Sequence, residues 1–517
     1  MRYRPAFLDM RLAPQDLQAG LTVAIVALPL SMAIAIASGV GPDRGLVTAI
    51  VGGFLVSALG GTRHQIGGPA GAFIVLVSAC VAEIGIEGLI LATALSGVML
   101  AGLGLLRLGG TIRYVPYPVI LGFTAGIGVT ILASQLHDLL GLRLAAPEPG
   151  PFVEKLAALW QARATAQPAS LAVAALTIAT ILGCQRLAPR LPSLLIGVAL
   201  ATLAGQMLPV ETVADRFGAL PTGLPMPVLP DLGAGAIRAA LPFAISFTLL
   251  GAIESLLSGM VADQMAGTRM RPDDELIGQG LANIGVSLFG GFCTTGTIAR
   301  TATNVRAGSA GPGSGMIHAA ILLVVMVVAA PLAGAIPLAG LAGLLAIVAW
   351  KMVEFHAITA LARISRGDAL VVAVTFAVTV LRDLTEAIVI GMALGGAMFI
   401  ARMAAHTDAA PGDGWDDHDP QQLTCHLAGP IFFGAVARME SLLDRIAARP
   451  QLLMLDMTAV PFIDTTGAQM IAGFAQRMAR HGTEVVTVGA APALRTALGD
   501  GIRHADSADA ARAMTGL

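Results

Sequence analysis

Long apolar stretches separated by short polar segments occupy about the first 400 residues of the chain. A helix that crosses a membrane needs about 20 residues. Stretches of about this length cover 17–40, 44–60, 86–106, 116–137, 169–185, 191–209, 237–262, 274–290, 314–335 and 384–402. Shorter apolar pieces lie at 69–82, 294–304, 337–350 and 368–381. The pattern therefore predicts about fourteen membrane passes or half-passes.

Two segments resemble one another at a separation of 230 residues. The segment "PDRGLVTAIVGGFLVSALGG" covers 42–61, and "PDDELIGQGLANIGVSLFGG" covers 272–291. Both begin with Pro-Asp and end with Gly-Gly. About seven passes separate the copies, and an odd number reverses the direction of crossing. We therefore predict two inverted halves, about 15–210 and 235–404, an arrangement found in secondary transporters.

Each copy leads into a short piece that cannot span a membrane alone. The pieces are "TRHQIGGPAGAFIVLVSA" after the first copy and "FCTTGTIARTATNVRAG" after the second. We predict a half-helix in each, with the 230-residue shift pairing Pro69 with Ala299 and Ala70 with Arg300. Free N–H groups at a helix start carry about half a positive charge, so two facing starts form an anion site. Arg300 then adds a full charge in the first turn of the second half-helix. The alternative is a structural arginine that reaches a carboxylate or the membrane interface.

Glu254, in "FTLLGAIESLLSGMVADQM", is the second charged residue predicted inside the membrane. A carboxylate there is costly, which favours a functional role. Ser258 is four residues later and shares its helix face. Such a carboxylate could carry a proton or, with the hydroxyl and carbonyl oxygens, hold Na⁺. The proton is slightly favoured because this is the only carboxylate visible in the region. A salt bridge to Arg300 is the structural alternative; His318 and Glu386 are weaker candidates.

Composition supports a membrane protein. Hydrophobic residues make up 56% of the chain and charged residues 12%, against about 25% charged in soluble domains. Basic residues concentrate on one side of the predicted passes, which places both termini in the cytoplasm of a multi-pass protein in the inner (plasma) membrane. The net charge of −2 does not indicate a nucleic-acid partner. No hydrolase triad, phosphate-binding loop or metal-ligand spacing is visible, so we predict neither an enzyme nor a cofactor nor a metal centre.

The character of the chain changes after Arg402. We assign 1–405 to the membrane domain and the polar, acidic stretch at 406–420 to a linker. Strands in "LTCHLAGPIFFGAV", "QLLMLDMTAV" and "TEVVTVGA" then alternate with helices, which predicts a small α/β domain over 421–517. One helix start in this domain is capped by a loop, formed by Asp464, Thr465, Thr466 and Gly467.

Four motifs together resemble the SulP/SLC26 family of anion transporters: "DLQAGLTVAIVALPLSMAIAIASG", "ELIGQGLANIGVSLFGG", "TGTIARTATN" and "LDMTAVPFIDTTG". The resemblance covers essentially the whole chain. It implies an α-helical polytopic membrane domain of fourteen segments, built as seven-plus-seven inverted repeats with core and gate parts. It also implies a cytoplasmic STAS domain at the C-terminal end and a homodimer in the lipid bilayer.

The resemblance also implies roles for individual residues. In the family the anion binds between the short third and tenth segments, which match Pro69, Ala70 and Gly71 on one side and Thr297, Ala299 and Arg300 on the other. Glu254 matches the acidic position of segment eight where members couple H⁺ or Na⁺, and Ser258, on the same helix face, is predicted to join it. The remaining pocket lining would come from Leu30, Ile34 and Phe73.

Two features depart from the family pattern. Many relatives have Pro-Gln in the first segment, where the glutamine lines the pocket, whereas this chain has Pro29-Leu30. In STAS domains regulated by phosphorylation a serine follows the aspartate, whereas Thr465 and Thr466 stand here. The first departure removes a substrate contact, and the second leaves phosphorylation open.

The substrate stays open among sulfate, bicarbonate, chloride and dicarboxylates such as fumarate. The favoured hypothesis is a secondary active anion symporter that works by alternating access. An uncoupled exchanger or channel would leave Glu254 without a role, and a membrane-anchored STAS signalling module would leave the half-helices without one. Nucleobase carriers share a related fold but lack a STAS domain, and a neutral base would not require Arg300.

Overall fold

The structure is a computed structural model that describes residues 3–9, 13–145, 148–149, 151–189, 191–382, 384–412, 421–443, 450–499 and 501–515. The chain forms two compact units, Met1–Met392 and Ala393–Leu517. Among the described residues, the buried core clusters of the first unit contain no residue from the second, and the reverse also holds. Each unit therefore has a hydrophobic core of its own.

The first half of the membrane unit is helical over most of its length. Its helices are Pro14–Ala37 (α1), Pro42–Val47 (α2), Gly53–Leu59 (α3), Ile74–Leu105 (α4), Tyr117–Leu140 (α5), Phe152–Gln161 (α6), Pro168–Leu187 (α7), Ser193–Gly205 (α8) and Val213–Phe217 (α9). A π-helical turn, Thr48–Gly52, joins α2 and α3 into one span. A 3-10 turn, Gly71–Phe73, precedes α4.

The second half repeats this pattern. Its helices are Ala234–Ala266 (α10), Pro272–Leu288 (α11), Ile298–Arg306 (α12), Gly313–Gly334 (α13), Leu338–Met352 (α14), Phe355–Ile364 (α15), Arg366–Leu381 (α16) and Leu384–Ala405 (α17). Helix occurs in every one of the fourteen predicted apolar stretches. Within the described ranges, nine helical stretches are long and apolar enough to cross a membrane. The short helices α6 and α15 were not predicted.

Helix α4 contains two of the predicted pieces, 69–82 and 86–106. They meet at Gly85, where φ is 70° and ψ is −175°. Glycine adopts this conformation without the steric cost that a side chain would add. The first piece is therefore a half-helix, separated by a break from the longer helix that follows it.

The two halves of the membrane unit pack into each other. Helix α4 packs mainly against α10 and α11, and α1 packs mainly against α13. Side chains from both halves share one buried cluster, which includes Leu30, Phe73, Phe247 and Leu322. First-half elements are thus positioned by second-half elements.

The C-terminal unit is a five-stranded sheet with helices. Its strands are Asp408–Pro411, Gln422–Ala428, Leu452–Ala459, Glu484–Val488 and Arg503–Ala505, which pair in chain order. The first pair is antiparallel and the others are parallel. Its helices are Val436–Leu443 (α18), Thr465–Ala479 (α19), Pro492–Leu498 (α20) and Ala508–Thr515 (α21). The predicted α/β class is confirmed.

Two details of this unit differ from the prediction. The predicted linker, 406–420, contains the edge strand Asp408–Pro411, because this segment can pair with the exposed edge of Gln422–Ala428. The predicted strand "LTCHLAGPIFFGAV" ends at Ala428, where Gly429 takes a φ of 83°. A positive φ of this kind interrupts a strand and is favourable for glycine.

Candidate functional site

The two extended segments that lead into the half-helices pair with each other. Gly67–Gly68 (β1) and Thr295–Gly296 (β2) form an antiparallel pair, with Gly67 opposite Gly296. Helical structure begins within three residues of each strand, at Gly71 and at Ile298. Because the strands are antiparallel, the helices that follow leave in opposite directions. Their N-terminal ends therefore lie together at the strand pair.

Both half-helix starts lack a side-chain cap. The N-cap residues are Ala70 and Thr297, and neither side chain bonds to the first turn. The Thr297 hydroxyl instead donates to the carbonyl of Ile66 at 3.2 Å. The first N–H groups of a helix have no intrahelical partner. These groups are consequently available to an anion at both starts.

The N-caps correct the predicted correspondence between the half-helices. The 230-residue shift pairs Ala70 with Arg300, but the equivalent caps are Ala70 and Thr297. Pro69, which the shift places in a first turn beside Ala299, instead precedes the cap of the first half-helix, so the two starts differ by three residues from the 230-residue shift. Arg300 nevertheless lies in the first turn of α12.

Arg300 is almost fully buried, with 1% of its surface exposed. Its Nη2 donates to the carbonyl of Pro69 at 3.1 Å, across the strand pair. Its Nε and Nη1 have no hydrogen-bond partner among the described residues. The predicted alternative of a salt bridge to Glu254 is not observed, and the described part of the chain gives Arg300 no other carboxylate. A buried cation without a counter-charge is costly, so the site is electrostatically prepared for an anion.

Gly68 allows the guanidinium to approach the backbone this closely. Its φ is 149°, and a Cβ at this position would overlap Arg300 Nη1. We expect Gly68→Ala to lower anion affinity at least tenfold, because backbone strain of about 1–3 kcal/mol adds to the displacement of Arg300. Titration of the purified variant with sulfate and bicarbonate measures this. Gly102→Ala is the matched control, since a Cβ at Gly102 meets no atom within 4 Å. Wild-type affinity in Gly68→Ala would contradict the prediction.

One face of α10 borders the first half-helix. Phe247 and Gly251 are four residues apart and share this face. The rings of Phe73 and Phe247 lie 6.0 Å apart between centroids. A Cβ at Gly251 would lie 3.7 Å from Phe73 Cζ. The start of the first half-helix therefore packs directly on α10.

The same face of α10 borders the second half-helix. The Thr295 hydroxyl donates to the carbonyl of Gly251 at 3.3 Å. The Ser258 hydroxyl donates to Thr301 Oγ1 at 3.0 Å. Glu254 lies between Gly251 and Ser258 at helical spacing, so it is on the face that meets both half-helices.

Glu254 is half-buried. Its carboxylate makes no hydrogen bond or ion pair with any residue that the structure describes. Ser258, the predicted second ligand, is fully buried, and its hydroxyl donates a hydrogen bond to Thr301. The two residues thus share a helix face, but Ser258 already has a structural contact.

Glu275 is a second buried carboxylate that sequence reasoning missed. It is 0% exposed and accepts hydrogen bonds from Gly61 N (2.9 Å), Gln65 Nε2 (2.9 Å) and Ser255 Oγ (3.0 Å). The statement that Glu254 is the only carboxylate in this region is therefore wrong. Glu275 stands in an acidic helix start, "PDDEL", and such residues are usually solvated there. Its hydrogen bonds fix the segment before β1 to α10 and α11.

The remaining candidates lie in different surroundings. Leu30, Ile34 and Phe73 belong to the same buried cluster as Ala70. Glu386 is exposed, whereas His318 is fully buried. In the C-terminal unit, Asp464 caps α19 by accepting from Gly467 N at 2.8 Å and also accepts from Phe433 N at 3.0 Å. Thr465 and Thr466, the first residues of α19, are exposed.

Comparison with known proteins gives agreement along both units. Residues 14–375 match the model of the sulfate permease family, and residues 417–501 match the STAS domain. The bicarbonate transporter BicA of Synechocystis is 33% identical, covering 92% of this chain and 88% of that protein. YvdB of Bacillus subtilis is 36% identical, covering 92% of this chain and 91% of that protein.

Solved structures agree in fold. The transmembrane domain of a cyanobacterial bicarbonate transporter, BicA, has a TM-score of 0.68 at 32% identity, covering 74% of this chain and 99% of that chain. Murine SLC26A9 in its inward-facing state has a TM-score of 0.86 at 18% identity, covering 98% of this chain and 93% of that chain. The family-model matches and the relatives above 30% identity show that the chain belongs to the sulfate permease (SulP/SLC26) family and carries a STAS domain.

Proposed function

We propose that the protein is a secondary active transporter that carries a small anion across the membrane. The observation that carries this proposal is Arg300: a buried guanidinium with two unpaired nitrogens beside two uncapped helix starts. An anion here accepts hydrogen bonds from the backbone N–H groups at the helix starts that follow Ala70 and Thr297. It also offsets the charge of Arg300. Pro69, Gly71 and Ala299 complete the backbone around it.

The substrate class is a small oxyanion. The family is named for sulfate permeases, and the relative BicA is named for bicarbonate. Both anions offer several oxygens to converging N–H donors, as the two helix starts require. Leu30, in place of a polar residue, leaves the backbone and Arg300 as the main donors. Chloride and dicarboxylates remain the alternatives for a direct test.

Glu254 is the proposed coupling residue. It lies on the α10 face between contacts to the half-helices and has no partner among the described residues. Its charge can therefore be offset by H⁺ or Na⁺ without breaking a protein contact. Coupled transport then follows if the site changes access when it is empty or holds both ions, but not when it holds only one, because Arg300 and Glu254 offset each other in the empty site and a single bound ion leaves a net charge.

The membrane placement and assembly are part of the same proposal. The unit spans the cell's plasma membrane with both termini in the cytoplasm, and two copies form a homodimer. Access alternates by movement of the part that carries the half-helices against the remaining helices.

Transport into liposomes tests the function. Purified protein is reconstituted, and uptake of labelled sulfate, bicarbonate, chloride and fumarate is measured while pH and Na⁺ gradients are varied independently. We expect accumulation of an oxyanion that depends on one of the two gradients. Equilibration of every anion irrespective of gradients would instead support a channel or an exchanger.

Removal of the residues after about 410 is expected to leave a folded membrane unit that still binds anion. The core of this unit contains no residue beyond Ile388. Affinity should change less than about threefold, since every residue of the proposed anion site precedes 410, whereas the transport rate should change. Binding and uptake by the truncated protein measure both quantities. Loss of anion binding in a well-folded truncation would refute the prediction.

A further inference from the structure

His318 of α13 is a buried polar side chain outside the proposed contacts to the anion. It is 0% exposed. Neither ring nitrogen makes a hydrogen bond of ordinary geometry with the residues that the structure describes, although the backbone of Gly315, three residues earlier, lies near the ring. Buried polar groups in native proteins nearly always have a partner, so such an exception calls for a physical explanation.

The ring of His318 lies against the segments that build the site. A Cβ at Gly53 would lie 3.3 Å from His318 Cε1 and 3.2 Å from the carbonyl oxygen of Gly67 in β1. The next residue of β1, Gly68, borders Arg300 Nη1. His318 and Arg300 therefore border the same short strand.

A third side chain without a partner lies beside them. The hydroxyl of Thr294 is buried and has no hydrogen-bond partner in the described ranges. It borders Gly52, the residue before Gly53. Gly52 ends the π-helical turn between α2 and α3, and such turns are frequent at functional sites. Unpaired atoms of Thr294, His318 and Arg300 thus border Gly52, Gly53 and Gly68 respectively, and Gly52 and Gly53 both lie against Gly67 of β1.

We propose that His318 is a positioning residue for Arg300 and that it acts through water buried between them. A neutral imidazole has one donor and one acceptor nitrogen, whereas Arg300 Nε and Nη1 can only donate. A direct contact satisfies one nitrogen of the ring at most. A buried water accepts from Arg300 and donates to the acceptor nitrogen of His318, and buried waters commonly make about three such bonds. Thr294 can complete this set.

The consequence for function is an orientation of the guanidinium. Arg300 has one hydrogen bond to protein, at Nη2, and two nitrogens that can rotate toward other acceptors. Water held by His318 fixes Nε and Nη1 of Arg300, so that the guanidinium stays oriented at the half-helix starts before an anion binds. Pre-orientation of this kind raises affinity because less ordering remains for the binding step. This inference depends on the proposed anion site.

Two substitutions at the same position test the proposal. His318→Leu removes both polar atoms and should weaken anion binding about tenfold, whereas His318→Gln keeps a donor and an acceptor and should bind within about threefold of wild type. His356→Gln is the control, because His356 is exposed on α15. Binding is measured by calorimetry with sulfate and bicarbonate, together with thermal stability in the absence of anion.

The outcomes are separable. Wild-type affinity in His318→Leu overturns the proposal. Equal weakening in both variants, accompanied by equal loss of stability without anion, indicates a merely structural histidine and also overturns it.

Nitrogen-15 NMR of labelled wild-type protein gives an independent measurement, with His318→Gln used to assign the signal. We expect the acceptor nitrogen of the ring to show a hydrogen-bonded shift and magnetisation transfer from water; a dry ring would refute the proposal. If wild-type protein binds none of the anions, the proposed function fails, and the NMR result still decides whether His318 holds water.

Discussion

Replacement of Arg300 with alanine is expected to lower anion affinity by about 10- to 100-fold, or about 1.4–2.8 kcal/mol, while the protein stays folded. The guanidinium is 1% exposed and has two nitrogens without partners among the described residues. In the proposed site its full charge would act on an anion at the starts of both half-helices. Binding in detergent, measured for the wild type and the variant, gives the ratio of affinities.

Stability separates this role from a structural one. A structural arginine stabilises the fold through its partners, but Arg300 has a single hydrogen bond, to Pro69, and pays the cost of burying a charge. We therefore expect the thermal stability of Arg300→Ala without anion to equal or exceed that of wild type. Arg300→Lys is the matched control, because it keeps the charge without the planar fork and should bind with intermediate affinity. Unchanged anion binding in Arg300→Ala would show that the arginine is structural.

Glu254→Gln is expected to abolish anion accumulation driven by a cation gradient. The substitution keeps shape and hydrogen bonding but fixes the side chain as neutral. A gradient of one pH unit can support about tenfold accumulation per coupled proton, and this should fall to no accumulation in the variant. Exchange of anion across the membrane can persist, because Arg300 and the half-helix starts are intact. Glu386→Gln is the control, since Glu386 is an exposed carboxylate.

The same experiment distinguishes the two cations. With a proton, wild-type accumulation follows the pH gradient in the absence of Na⁺. With Na⁺, it requires Na⁺ at constant pH, and Glu254→Gln weakens that requirement. Gradient-driven uptake at the wild-type level in Glu254→Gln would exclude Glu254 as the coupling residue for H⁺ and for Na⁺. A salt bridge to Arg300 is not observed, so the glutamate would then be left without the structural role that the sequence suggested.

Much of this architecture could be predicted from the sequence. Apolar runs of sufficient length must be helical in a membrane, because a helix satisfies its own backbone hydrogen bonds, and every predicted run contains helix. The shared Pro-Asp and Gly-Gly ends of the two repeat copies located the half-helices that follow them. Arg300 and Glu254 were found because a charge in an apolar segment is costly and therefore conspicuous.

The tertiary structure alone decided how these parts meet. The pairing of Gly67 with Gly296 brings the starts of the two half-helices together, and the caps at Ala70 and Thr297 depart by three residues from the shift of the repeat. Glu275 acquires its partners from Gly61, Gln65 and Ser255, and nothing in its local sequence distinguishes it from an ordinary solvated helix start.

The lack of partners is likewise a tertiary property. That Arg300 and His318 have unpaired nitrogens depends on every element packed around them, including helices more than 200 residues away in the chain. Local sequence determines which segments become helices, because backbone bonding and hydrophobic burial are satisfied within or along each segment. Hydrogen-bond partners and unpaired charges depend on contacts between segments, so only the folded chain determines which polar groups are left for a ligand.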